Sequence, residues 1–257
     1  MWRVARIAVL LFILATVAQG AYLARTRTAE WEHTLRVVIY PINGDGSQNV
    51  ERYIGALHGA AFEPIEAFFR REGERYGVRS QPPIQVALAP PVSSQPPVPP
   101  FGGGKAEIVV WSLRLRYWAY WNDNHKRMRP DIRIFVSYHD PATRPRLAHS
   151  TGLQKGLIGV VNAFAIADMD GSNNVVIAHE LLHALGATDK YDSSNNRPLF
   201  PDGFADPNAQ PLYPQARAEI MAGRIPISER QAEVPAGMAD VAIGARTARE
   251  INWVRQQ

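Results

Sequence analysis

The sequence predicts an α+β fold: one domain with a mixed sheet over residues 31–257, behind a separate membrane segment over residues 1–30. Three observations carry this. An uncharged, mostly apolar run stands by itself near the N-terminus, strand-like segments come early with helix-like ones between them, and no second hydrophobic core follows. The chain has 257 residues, 46% of them apolar, which is enough to fill one large core.

The apolar run is Ile7 to Ala24, 18 residues without a charge and preceded by Arg3 and Arg6. That is the pattern of an export signal, just long enough to span a bilayer as an uncleaved anchor. Positive charges ahead of the span keep the N-terminus in the cytoplasm and place residues 31–257 outside, periplasmic or extracellular. The alternative is cleavage after Ala18-Gln19-Gly20, which would release a secreted body starting at Ala21.

Leu35 to Tyr40 reads as a strand, closed by the turn residues Pro41 to Gly46. From Gln48 to Tyr76 apolar residues recur near helical spacing, which predicts a long helix packed on the sheet. Pro64 lies inside it and should kink or divide it, because proline lacks the N–H and clashes one turn back. Ile84 to Leu88 is a short strand, and the proline- and glycine-rich stretch Ala89 to Gly104 is an extended surface loop. Residues 106–121 alternate in part but fit a helix through Ile108, Trp111, Leu115 and Trp118. Asp131 to Tyr138 and Gly156 to Ala165 are further strands, the second an edge that could pair with an extended peptide. Ser172 to Leu185 is a helix capped by Ser172 or Asn173 and stopped by Gly186. A polar loop, a short apolar turn at Glu219 to Gly223 and a last helix from about Gly244 to Val254 complete the chain.

Composition excludes several kinds of chemistry. Without cysteine there is no disulfide framework, no thiolate metal site and no cysteine nucleophile, so a metal would sit on His, Asp or Glu. Most of the net charge of +4 comes from Arg3, Arg6, Arg25 and Arg27 near the N-terminus, so the body is almost neutral and nucleic acid is not an expected partner. Asn43 to Asn49 and Asp168 to Asn174 each resemble part of a calcium loop, yet neither has the later bidentate Glu; turn and cap chemistry explains them. His33, His58, His125, His139 and His149 have no ligand spacing.

The motif with chemistry in it is His179-Glu180-Leu181-Leu182-His183. Residues four apart share a helical face, so both imidazoles can reach one ion, while Glu180, one position on, can contact a water beside it. Gly186 can reverse the chain in a left-handed conformation and return Asp189 as a third ligand, although Asp192 and Glu219 also follow the helix. Two imidazoles and one carboxylate leave a fourth tetrahedral position open, the requirement of a catalytic zinc (Zn2+) site.

The stretch His179 to Asp189 (HELLHALGATD) resembles the long zinc-binding signature of the metzincin metallopeptidases, with the Asp-for-His third ligand of the snapalysin variant. Ile220-Met221-Ala222 resembles that clan's Met-turn, although Met221 could also be ordinary core, and the order of elements before Gly186 resembles its upper subdomain with a smaller lower one after it. The resemblance implies a zinc endopeptidase acting on peptide or protein substrates, with His179, His183 and Asp189 on the metal and Glu180 as general base. Where many members carry a tyrosine after the Met-turn this chain has Gly223, so a phenol helping at the oxyanion would be Tyr191 or Tyr213. The competing expectation is a membrane-anchored binding or structural domain in which the metal only ties the helix to the following loop.

Overall fold

The structure is a computed structural model that describes residues 30–254, apart from 101, 148–149 and 154–156, together with Trp2 and Arg6. The expected membrane segment, residues 7–24, lies outside the described residues, as does His149; among those described, no helix is long and apolar enough to cross a membrane.

A five-stranded sheet organises the body, in the order β2-β1-β3-β5-β4. β1 (Leu35–Asn43), β2 (Ile84–Leu88), β3 (Ile132–His139) and β5 (Ile158–Phe164) are parallel, and the three-residue β4 (Thr151–Leu153) is antiparallel to β5. Side chains alternate across a strand, so each strand feeds two layers. Val37, Ile39, Ile134, Val136 and Val161 enter the larger core, beneath α1 (Gln48–Ala56), α2 (Glu63–Tyr76) and α4 (Asp170–Leu185). Val38, Tyr40, Phe135 and Ile158 face the other way, against α3 (Lys105–Trp121). The result is a mixed α/β arrangement with helices on both faces of a mainly parallel sheet.

Trp31 closes the body at its start. Its indole N–H donates to the Ile251 carbonyl at 2.7 Å, and its ring meets that of Trp253 edge-on at 5.5 Å, so the first and last described segments lock together.

Three sequence expectations are corrected. The single helix over Gln48 to Tyr76 is two: α1 ends at Ala56, a 3-10 turn covers Gly59–Phe62, and Pro64 sits in the first turn of α2, where a missing N–H costs nothing. β5 is not the edge of the sheet, because β4 pairs with it through Thr151–Val160, Gly152–Gly159 and Leu153–Ile158. The final helix, α5, covers only Ala245–Glu250. Beyond Gly186 the lower part is held by two-residue ladders, among them Ala218–Glu219 with Val241–Ala242.

Candidate metal centre

The turn that ends α4 also builds half of the site. Gly186 adopts φ 113°, its N–H donates to the His183 carbonyl at 3.1 Å, and the Ala187 N–H reaches back to Leu182 at 2.9 Å. This is the paired Schellman closure that a glycine makes possible. It brings the Ala187 carbonyl to His183, whose Nδ1–H donates to it at 2.9 Å. His179 is held from further away, its Nδ1–H donating to the Ile220 carbonyl at 2.9 Å.

Both imidazoles therefore turn Nε2 toward one point. The two Nε2 atoms lie 3.0 Å apart, and Asp189 Oδ1 is 3.2 Å from His179 Nε2 and 3.0 Å from His183 Nε2. With each Nδ1 hydrogen given to a carbonyl, two neutral rings would present lone pairs to each other and to a carboxylate, an arrangement that a proton or a metal ion between them stabilises. Tetrahedral zinc with bonds of about 2.0–2.1 Å to nitrogen and oxygen separates its ligands by roughly 3.4 Å. The observed triangle is close to that spacing, so these residues fit the ion.

Glu180 stands beside the triangle. One of its possible ligand atoms falls within 4.8 Å of those of His179 and His183, a grouping that omits Asp189. The direct distances favour Asp189 as the third ligand, since its Oδ1 touches both rings. Glu180 is buried, and its Oε2 has no hydrogen-bond partner among the described residues. Gly159 of β5 lies beneath it: a Cβ there would meet Glu180 Cβ at an ordinary 3.8 Å but Ile134 Cδ1 at 2.7 Å, so the missing side chain accommodates Ile134.

The local charges are strongly coupled. Burial pushes the Glu180 carboxyl up from its ordinary range. For Asp189 burial acts in the same direction but is overcome by hydrogen bonds from His179 and His183, which hold its pKa well below the usual carboxylate range. Burial opposes the charged form of His183, yet the Asp189 hydrogen bond and Glu180 raise its pKa overall.

Residues that the sequence reading did not single out hold this geometry. Glu250 in α5 clamps the chain on both sides of Asp189: it accepts from the Thr188 N–H and hydroxyl, each at 2.9 Å, and from Lys190 Nζ at 2.7 Å. Glu219 does not face the triangle. It is fully buried and accepts from the N–H groups of Met221 (2.7 Å), Ala222 (3.1 Å) and Gly244 (3.0 Å) and from the Thr247 hydroxyl (2.6 Å). The turn it organises supplies the Ile220 carbonyl to His179 and the Met221 carbonyl to the Lys190 N–H at 2.9 Å. Met221 itself is buried in the core cluster that contains Leu181 and Leu182 of α4.

Other sequence candidates take plainer roles. Asp192 accepts from Ser194 and Asn195 within its own exposed turn. The ionisation of Tyr191 is pushed up first by burial and then by Asp189 and Glu180, whereas the Tyr213 ring packs on Phe204 at 5.8 Å. Asn173 does not cap α4; its amide bridges the Phe164 N–H and carbonyl at 3.1 and 2.8 Å, and Ser172 donates to the Met169 carbonyl. In the two calcium-like loops the side chains also serve the backbone or a neighbour, Asp45 accepting from the Ser47 and Asp140 N–H groups and Asp170 from the Tyr53 hydroxyl. No family model matches the chain, and neither does any curated protein.

Proposed function

We propose that the chain is a zinc-dependent endopeptidase of metzincin type, hydrolysing peptide bonds outside the cytoplasmic membrane, to which residues 7–24 attach it. One observation carries the reading: His179 Nε2, His183 Nε2 and Asp189 Oδ1 converge within 3.0–3.2 Å, while the buried Glu180 beside them keeps an oxygen without a partner among the described residues. His179, His183 and Asp189 would hold the ion. Two imidazoles and a carboxylate with an open fourth position suit catalytic zinc.

Zinc held by these residues would supply a Lewis acid for the scissile carbonyl and for a water. Glu180 takes the proton of the attacking water and delivers it to the leaving amine, so no covalent enzyme intermediate forms. Of the two phenols the sequence offered, Tyr191 is our choice to donate to the developing oxyanion, because its ionisation responds to Asp189 and Glu180. The Ala187 and Ile220 carbonyls fix both rings and Glu250 fixes the ligand loop, so the donors are oriented before a substrate arrives.

Gly159, which lies under Glu180, pairs with Gly152 of β4. The outer edge of β4 is thus one strand spacing, about 4.8 Å, from the strand beneath the base. An extended peptide added to that edge would run past the site, with affinity from backbone hydrogen bonds and no demand on sequence.

The deciding experiment is Glu180→Gln. The variant should retain one zinc per chain and lose hydrolysis of a mixed peptide library by about a thousandfold, the scale of a lost general base. Unchanged turnover would remove Glu180 from its role, and zinc binding with no hydrolysis by the wild type would leave a metal-tied binding domain.

A further inference from the structure

α3 is apolar on two faces, and the sheet uses only one. Leu115 and Ala119 are buried against the smaller core, Trp118 packs on Phe135 with ring centroids 4.5 Å apart, and the Trp111 indole donates to the Pro97 carbonyl at 2.9 Å. On the opposite side Val109, Val110, Leu113, Tyr117, Tyr120 and Trp121 are exposed, the last three by 68%, 72% and 67%. Their spacings of three and four residues place them in one stripe about 120° wide. A second amphipathic pattern is therefore written on a helix whose first pattern already satisfies the core.

The borders of the stripe are cationic. By helical spacing Arg116 and Lys105 flank it on one side and Arg114 with Glu107 on the other, and the loop that follows α3 carries the exposed Lys126, Arg127 and Arg129. Between Lys105 and Arg129 the chain carries six bases and two acids, Glu107 and Asp123, and Asp123 is taken by Arg133 at 2.6 Å and by the Tyr40 hydroxyl. Residues 31–257 outside this stretch carry 18 bases and 21 acids, a net charge of −3. A second copy docked on this stripe would bring these cations against their own kind. An anionic lipid surface complements both features, because tyrosine and tryptophan settle at the headgroup level, valine and leucine enter the acyl boundary, and basic side chains reach anionic headgroups.

We infer that α3 is a membrane-docking helix, which lays its outer stripe into the interface of an anionic bilayer. The inference rests on α3 alone, is independent of the metal site, and stands whether residues 7–24 remain as an anchor or are removed.

The chain has no cysteine, so single substitutions can report on the contact without background. Val109→Cys and Tyr120→Cys, each carrying an environment-sensitive fluorophore, are compared with Glu229→Cys at an exposed position of the lower part. Each full-length protein is reconstituted into phosphatidylcholine vesicles with or without about 30% phosphatidylglycerol, and quenching by doxyl-labelled lipid is measured. Quenching at 109 and 120 should exceed that at 229 by at least about threefold, and rise with anionic lipid. Combining Lys126→Glu, Arg127→Glu and Arg129→Glu with the Val109 label should bring its quenching down to the level at 229, since three cations each worth about fivefold lower partitioning by about a hundredfold together. Quenching at 109 no stronger than at 229 would overturn the inference, and equal quenching in both lipid compositions would overturn an anionic surface as the partner. A 109 label shielded from both doxyl lipid and aqueous iodide would mean that protein covers the stripe, a second copy or residues 7–24, and would also overturn it.

Discussion

Glu219→Gln is the most exacting test of how the site is supported, because a buried carboxylate with four donors can be read bond by bond. Oε2 accepts from the Met221 and Ala222 N–H groups, and Oε1 from the Gly244 N–H and the Thr247 hydroxyl. An amide keeps one oxygen. Its less costly orientation leaves that oxygen under Met221 and Ala222 and puts the NH2 at the other position, where the Thr247 hydroxyl can turn to accept. The Gly244 N–H cannot turn, so it is left facing another donor. That holds whether the native group is ionised or, as burial favours, protonated, because a carboxyl oxygen can accept from the Gly244 N–H in either form.

One buried N–H without an acceptor costs about 2 kcal/mol. For a body of this size that lowers the melting temperature by about 4–8 °C. Glu219→Ala orphans all four donors and adds a cavity, and should cost more than about 5 kcal/mol. Thermal unfolding followed by circular dichroism reads both values, and metal analysis of the folded Gln variant should still find one zinc per chain. A Gln variant that melts with the wild type would refute the hydrogen-bond reasoning. One that melts normally but loses zinc would make Glu219 a ligand and displace Asp189.

Asp189→Ala should weaken zinc binding by more than about 100-fold, beyond the loss of an outer partner, and as much as His183→Ala does, while Asp192→Ala leaves it unchanged; competition with a chelating dye measures all three. The Glu250 carboxyl is held below its ordinary value of 4.5 against burial, chiefly by Lys190 and the Thr188 donors. Its contribution to stability is therefore complete above that value and is lost as pH falls through the lower folded pKa. In metal-free protein the melting temperature of wild type should drop between about pH 5 and pH 3, and the Glu250→Gln variant should start lower at neutral pH and drop less. Full-length protein should stay in the membrane fraction after a high-salt wash, because a run of 18 apolar residues is held by burial and not by charge; a soluble form starting near Ala21 would show a cleaved signal instead.

What could be read before folding was what short-range geometry dictates. Four-residue spacing puts His179 and His183 on one face of a helix, and glycine is the residue that ends such a helix in a left-handed turn, so the return of Asp189 follows within a few residues of backbone. The strand cores at β1, β2, β3 and β5 were legible for the same reason, since alternation and apolar runs are local signals. The division of Gln48 to Tyr76 was half legible: Pro64 signalled an interruption, but its compatibility with a first helical turn decided that the break falls before it.

Tertiary structure decided what no window of sequence contains. β4 is three residues long and gains its identity only by pairing with β5. The carbonyl that orients His179 is 41 residues from it, and Glu250 is 62 residues from the Thr188 it clamps. The sequence of α3 announced a helix through Ile108, Trp111, Leu115 and Trp118, and the last three of these do pack on the sheet, but Ile108 is left exposed. By itself, then, the sequence determined that His179, His183 and Asp189 meet and which turn gathers them, because that depends on bond geometry within about ten residues. The support of those donors, the free edge beside them and the face of α3 left to solvent depended on chain closure over tens of residues, where packing decides.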